Sequence, residues 1–501
     1  MRSLISVILL FACSFFSAQG FKVRPSIPAV LSHYSAFIYE TTPGNYIAGG
    51  LIADTLNGYS INRLALMGLN SIGQVIWTKK YGNEKIIYVQ NPFVRRTFYK
   101  SGNFIYYACS ILDSNNKYLG GLIKFDQSGD TLWQKLYRDP LNMDLVPQMV
   151  TGSVDGGFLI TGYTVINNPC LLIKTDSHGN ELWRKKIGNY AMDGKAIVQD
   201  SASKKIVIVG YKYVNGPNSH ENILIVDSLG DNPKFYDYGG FGGILIDLIQ
   251  TKDKSLVAVG QKIYPQSVGG YNLIKSFAVK FNLNNPSPAI WKIEDYGPFS
   301  QTNNFNCVYE LPNGDMLIGG DLDTTHLKNL NDNYYHKLVK IDKDGNIKWT
   351  RTYDYRPDTN TTYYQSLTSL SAGSNGAILA SFQLYNSAPN PFFFVKYDST
   401  GCDSTLAYCA TLNLAGIKPY SQDNQITLFP NPMADVLNID LTGLETENLE
   451  LIIIDIHGRE IKKLNLRQNQ KLDVSDLSSG MYLVTLTRNK ELIFKTKIIK
   501  E

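Results

Sequence analysis

Few residues of this chain stand at spacings that catalysis uses. The six histidines, His33, His178, His220, His326, His336 and His457, form no His-Glu-x-x-His or related ligand pattern. His178 and His457 fall in turn-like stretches, and the histidines read as solvated loop residues. No Gly-x-Ser-x-Gly elbow and no phosphate-binding loop occurs. Asp342-Lys343-Asp344-Gly345-Asn346 opens like a calcium loop, but the later ligands do not follow, so it reads as a structural turn. Lys124, Lys174, Lys280, Lys340 and Lys396 each precede an Asp or Asn by two residues. On a strand that puts both side chains on one face, which suits an ion pair or a Lys over a Trp ring. Carboxylate pairs for glycoside cleavage would have to come from distant segments, and no pattern selects a pair. No catalytic, metal-binding or cofactor-binding residue is therefore assigned, and no cofactor.

Of the six cysteines, Cys13 lies in the N-terminal apolar run. Cys402 and Cys409 are close enough to be a candidate disulfide in an oxidising compartment. Cys109, Cys170 and Cys307 fall in separate copies of a repeat and read as small buried residues. The absence of Cys-x-x-Cys excludes a zinc ribbon.

The compartment follows from the N-terminus. Met1-Arg2, an apolar run from Leu4 to Phe16 and Ser17-Ala18-Gln19-Gly20 describe a secretory signal peptide at 1–20, cut before Phe21. Leu10-Phe11-Ala12-Cys13 fits a lipobox poorly. The run falls short of the roughly 20 apolar residues of a membrane span, so no transmembrane segment is expected after its removal. With 48 basic and 44 acidic residues, a net charge of +4 offers no field for nucleic acid. Among 501 residues, 44% apolar and 18% charged argue for large cores and against disorder. The 32 Tyr, 22 Phe and 41 Gly favour strands and turns.

The elements that must position any site recur from about residue 31 to 409. All five tryptophans, Trp77, Trp133, Trp183, Trp291 and Trp349, are spaced by 56, 50, 108 and 58 residues. The 108 is two intervals, with the missing member placed at Phe235 or Tyr236. Gly73, Gly129, Gly179 and Gly345 stand four residues before a Trp, and Asp126, Asp176, Asp227, Asp342 and Asp398 each open an Asp-x-x-Gly. Asn70 does so in the first copy. Asp first and Gly fourth suit a tight hairpin turn closed by a left-handed residue. A third column ends short apolar runs in a small residue: Gly50, Ala108, Gly162, Gly210, Gly260, Gly320 and Ser381. Each copy offers about four strands in about 55 residues, and seven copies are visible. Four-stranded units repeated radially make a β-propeller, so an all-β, seven-bladed propeller is expected over 21–410. The Trp column would lie between blades, and Trp183→Ala would cost the ~3–5 kcal/mol of a lost core aromatic.

The Asp-x-x-Gly-x-x-x-Trp element resembles the blades of pyrroloquinoline-quinone-type propellers, and Gly49-Gly50 and Gly319-Gly320 resemble the paired glycines of kelch blades. The Gly-His and Trp-Asp marks of WD40 blades are missing. The quinoprotein dehydrogenases usually have eight blades and often an adjacent Cys-Cys pair, absent here. The likeness thus implies the blade and gives little support to redox chemistry.

Residues 411–424 carry no strand pattern and read as a linker. From 425 to 501 a small antiparallel, Ig-like β-sandwich is expected, with hairpin turns at His457-Gly458-Arg459 and Arg488-Asn489-Lys490. Leu428-Phe429-Pro430-Asn431-Pro432, Ile454-Asp455-Ile456-His457-Gly458-Arg459 and Asp473 to Leu483, including Gly480 and Tyr482, resemble the type A C-terminal sorting domain of the type IX (Por) secretion system. A Lys-rich last strand, Lys495 to Lys500, completes the match. This implies a Gram-negative source, Sec export, recognition by the type IX machinery, and release or attachment at the outer-membrane surface.

Two functions follow as expectations. The first is a non-enzymatic, secreted or cell-surface propeller that binds a glycan or protein through the Tyr/Asn-rich inserts Tyr211 to Asn222, Tyr264 to Asn272 and Asp321 to Tyr335. The second is a secreted hydrolase, lyase or quinoprotein-like enzyme with its site in the central channel. Missing catalytic motifs favour the first.

Overall fold

The computed structural model describes residues 20–402 and 427–500, apart from short connecting segments within them. The expected signal peptide up to residue 19, the linker at 411–424, Cys409, Asn431 and Gly458 lie outside the described residues. The described residues contain no α-helix, and their one helical turn is the 3-10 turn Ser374–Gly376. The chain divides into two compact units, Met1–Ala415 and Gly416–Glu501.

In the first unit the strand pairing falls into seven antiparallel groups of four. Their first strands are Ser32–Thr42, Phe98–Ser101, Leu145–Gly152, Met192–Gln199, Gly243–Gln250, Thr302–Glu310 and Tyr364–Ala372. The second group has an extra short strand, Ile87–Val89, and one parallel bridge, Ile274 to Thr302, joins the fifth to the sixth. The seventh group takes its outer strand, Phe21–Val23, from the N-terminus, with Phe21 opposite Lys396 and Val23 opposite Phe394.

Strands apolar on both faces need cover on both, and neighbouring sheets supply it. Phe37 and Ile123 share a core between the first and second sheets, and Leu122 and Val150 between the second and third. One cluster joins the third, fourth and fifth through Leu172, Val209 and Val279. Val259 and Val308 bridge the fifth and sixth, and Leu338 and Phe382 the sixth and seventh. Phe394 then packs with Ala48 of the first sheet. That last core closes the ring, which is a β-propeller.

The small-residue column sits in mid-strand, not at strand ends. Gly162 and Gly320 lie opposite a bulge in the first strand, between Pro147 and Met149 and between Phe305 and Cys307. A Cβ there would come within 2.0 Å of the Val146 carbonyl and 1.8 Å of the Asn304 carbonyl. In the second and seventh sheets this register is held by Cys109, opposite Gly121, and by Phe382, opposite Leu367, rather than by Ala108 and Ser381. Ser381 lies one residue earlier, and its hydroxyl meets those of Thr368 and Ser369 at 2.7 and 2.8 Å. The bulge recurs in the seventh sheet with Phe382 opposite it, and bulges leave no mark in a run of apolar residues.

The second unit has two antiparallel sheets. Thr427–Phe429, Val436–Asp440 and Gln470–Asp473 form one, and Glu460–Leu466, Leu449–Asp455, Gly480–Arg488 and Glu491–Lys500 the other, in those spatial orders. Leu437, Ile439, Leu451, Ile453 and Val484 share the core. Gly480 has φ +154°, a conformation L side chains rarely adopt. The Tyr482 hydroxyl donates to the Ser478 carbonyl at 2.8 Å, fastening the turn before its strand.

Candidate binding site at the channel mouth

The repeat residues build the walls that hold the centre in place. Asp176 Oδ1 accepts from the amides of His178 and Asn180 at 2.9 and 2.8 Å, and Gly179 closes the turn with φ +77°. Asp126 and Asp342 make the same turn with Gly129 and Gly345. Each such glycine faces the Trp of the preceding sheet. A Cβ on Gly129 would stand 2.8 Å from the Trp77 ring, one on Gly179 2.7 Å from Trp133, and one on Gly345 2.9 Å from Trp291. Trp183 faces Gly230 and Trp349 faces Gly401 in the same way. The tryptophans are half-buried. Tyr four residues after Trp went unnoticed in the sequence: Tyr81, Tyr137 and Tyr353 donate to the carbonyls of Gly129, Gly179 and Gly401.

The missing Trp is replaced by Lys234, not by Phe235 or Tyr236. Lys234 pairs with Ile225 where Trp183 pairs with Lys174. The turn fixes the fourth residue after its glycine, here Gly230, and counting intervals misses this by one or two places.

The lysine column splits. Lys174 bonds Asp155 at 2.7 Å and Lys280 bonds Asp253 at 2.6 Å, while Lys340 lies 3.5 Å from Asp315. Lys124 stands over the Phe104 ring at 3.7 Å and Lys396 over Tyr46 at 5.6 Å. Their ring partners are Phe and Tyr, not Trp. Two histidines are not solvated: His33 accepts from the Ile27 amide at 2.8 Å, and His336, 1% exposed, lies 4.1 Å from Phe382 and 3.7 Å from Asp321. Strand alternation turns both into inter-sheet cores. His178 is exposed in its turn, His220 is half-buried, and His326 and His457 lie outside the described residues. Cys109, Cys170 and Cys307 are buried free thiols, and burial pushes the Cys170 thiol up to about 12. Cys402 is disulfide-bonded.

The seven first strands converge on a cavity of about 450 Å³. Phe37, Phe98, Met149, Val198, Leu248, Tyr309 and Leu370 each bring one of them to it. Phe98 stacks on Phe37 at 4.1 Å and on Tyr107 at 4.3 Å, so the aromatic wall is continuous with the core. The Tyr39 hydroxyl donates to the Phe98 carbonyl at 2.9 Å across the first two strands. The cavity occupies the ends of the first strands that lead into the second strands. Because strands alternate in direction, the Asp-x-x-Gly turns share that end. The three Tyr/Asn-rich inserts join second to third strands and leave from the opposite end; most of their residues lie outside the described ones.

One register position forms the rim: Glu40, Lys100, Gly152, Gln199, Gln250, Glu310 and Ala372. Where an acceptor stands there, it takes an amide from the preceding sheet's turn. Gln199 accepts from Val154 at 3.0 Å, Gln250 from Ser201 at 3.4 Å and Glu310 from Lys252 at 2.9 Å. Glu40 accepts from the Ser374 amide and hydroxyl, again tying the seventh sheet to the first. Deeper in the ring, Lys195 bonds Asp193 at 2.7 Å and Gln148 at 3.0 Å. Burial raises the Asp193 carboxyl, and the Lys195 ammonium opposes that rise. Nothing in the sequence marked the rim column, because its members alternate among Glu, Gln, Lys, Gly and Ala.

The C-terminal unit has Pro430 and Pro432 beside its first strand and a lysine-rich last one. Residues 427–501 match the secretion system C-terminal sorting domain family. The sorting domain is the tail read by the type IX machinery, and it marks the chain for secretion or attachment at the cell surface. No helix among the described residues is long and apolar enough to cross a membrane. No curated protein matches the chain.

Several solved structures are similar to it. The β-propeller domain of the Trilobed protease from Pyrococcus furiosus is 9% identical, covering 75% of this chain and 99% of its own, with a TM-score of 0.40. Chaetomium thermophilum Sqt1 is 10% identical over 77% and 86%, with a TM-score of 0.37. The WD40 domain of SCAP from fission yeast is 6% identical over 75% and 97%, with a TM-score of 0.32. The propeller architecture stands on the pairing and packing above, not on these likenesses.

Proposed function

We propose that this is an exported binding protein, with the propeller as the binding module and the channel mouth as its ligand seat. Support comes from one observation: side chains of all seven first strands meet around a single cavity of about 450 Å³. That is a size typical of small-molecule sites, and its lining is mainly apolar and aromatic with few polar groups, as such sites are. Among the described lining residues there is no Asp, Glu or His, and the rim carboxylates Glu40 and Glu310 accept from turn amides. Export runs through a Sec signal at 1–20 and then the sorting domain, leaving the propeller outside the cell. The inserts on the opposite end are a further surface for glycan or protein.

Photolabelling the mature chain with a neutral apolar diazirine, such as adamantyl diazirine, tests the seat. Peptides carrying Phe98 to Thr151 and Leu248 to Gln250 are expected to take the label saturably. Label spread evenly over the surface would refute the reading.

A further inference from the structure

We propose that the channel mouth selects an amphipathic anion, a carboxylic acid with an apolar body, and that Lys100 is the residue that reads its charge. This rests on the mouth being a ligand seat. Lys100 lines the cavity and occupies a rim position where Glu40, Gln199, Gln250 and Glu310 serve as acceptors. An ammonium cannot accept an amide hydrogen, so Lys100 cannot stitch its sheet to the preceding turn. Among the described residues it has no hydrogen-bond or ion-pair partner. The neighbouring rim position is Gly152, which has no side chain to meet it, and a Cβ there would lie 2.6 Å from the Tyr99 hydroxyl. The acceptor ring is interrupted at Ala372 and at the adjacent pair Lys100 and Gly152, and only at that pair do an ammonium and a phenol stand beside the cavity.

The rest of the cavity fixes the body of the ligand. Half-buried Tyr39, Tyr99, Val198, Ile249 and Tyr309 present apolar and aromatic surface, backed by the buried Phe37, Phe98 and Leu248. Ser371 and Ser369, also in the lining, are already bonded to the Ile38 carbonyl and the Ser381 hydroxyl. The rim carboxylates nearest in register, Glu40 and Glu310, are turned to backbone amides of Gly44, Ser374 and Lys252, so their charge is partly met by those donors. A ligand anion paired with Lys100 makes a charge-assisted bond stronger than a neutral one.

The test is calorimetric titration of the mature protein with naphthalene-2-carboxylate and with its neutral isostere naphthalene-2-carboxamide, at low and high salt. The carboxylate is expected to bind at least about tenfold tighter, with the preference shrinking as salt rises. Lys100→Met should abolish that preference, bringing the carboxylate to the affinity of the carboxamide in the same variant. Thr151→Trp, which fills the mouth from the next strand, should remove binding of both. Equal affinity for the two probes, or a preference that survives Lys100→Met, overturns the charge assignment while the seat stands. Failure of both probes to bind, or binding untouched by Thr151→Trp, overturns the seat and the assignment with it. Should Lys100→Met not fold, Lys100→Gln provides the same comparison.

Discussion

The ring of Phe21 lies 2.9 Å from where a Cβ on Gly73 would stand, the contact that Trp77 makes with Gly129 one sheet further on. The N-terminal strand therefore supplies, from the other end of the chain, the aromatic that the seventh copy lacks. Phe21 is 5% exposed and edge-on to Tyr46 at 5.3 Å. Phe21→Ala is expected to cost about 3–5 kcal/mol, the range for a buried aromatic. Trp183→Ala should cost less than that range, because its ring is half-buried. Urea unfolding of both variants checks the order, and a larger loss at Trp183 would contradict the closure.

Turn glycines divide into two kinds. Gly129 has φ +81° and would bring a Cβ to 2.8 Å from Trp77. Gly156 has φ +86° with nothing within 4 Å. Gly156→Ala should cost only the left-handed penalty, about 1–2 kcal/mol. Gly129→Ala adds a clash with a ring, about 1–3 kcal/mol more. Equal melting temperatures for the two variants would refute the contact.

Asp155 and Lys174 couple stability to pH. Burial would raise the Asp155 carboxyl, but the Lys174 ammonium, the Ser153 hydroxyl and the Gly157 amide bring it down to about 2. A folded pKa below the unfolded value of ~4 stabilises the protein fully above that value. The contribution is lost as pH falls through about 2. Asp155 is largely exposed, so its part is small, below about 1 kcal/mol. Asp155→Asn should thus be less stable than the parent at pH 7 and equal to it near pH 1.5. A difference that persists at the acid end would contradict the pairing.

Much of this architecture was legible in the residues, and the reason is chemical. Asp-x-x-Gly turns need a side-chain acceptor and a left-handed glycine, so Asp176 and Gly179 stand out in any alignment of the chain with itself. The sorting domain was legible because its turns depend on Pro430, Pro432 and Gly480. The channel mouth was not, since Phe37, Phe98 and Leu248 are ordinary apolar residues until the ring brings them together. Lys100 was equally silent: only its rim register, fixed by pairing with Ile105, shows that it stands among acceptors. The closing strand was missed because Phe21 carries no turn before it.

Export depends on the tail. In a host with the type IX machinery, deletion of residues 425–501 should leave the propeller in the periplasm, as read by cell fractionation. Normal delivery to the surface or medium without it would refute the dependence on the sorting domain.

The most direct measurement is a fluorescence titration of the mature chain with Nile red, a neutral dye that brightens in apolar surroundings, alongside Thr151→Trp. The mouth of the ring should take one dye per chain, and the substitution should abolish that binding while the melting temperature stays the same. Undiminished binding in a folded Thr151→Trp protein would contradict the placement of the seat in the channel.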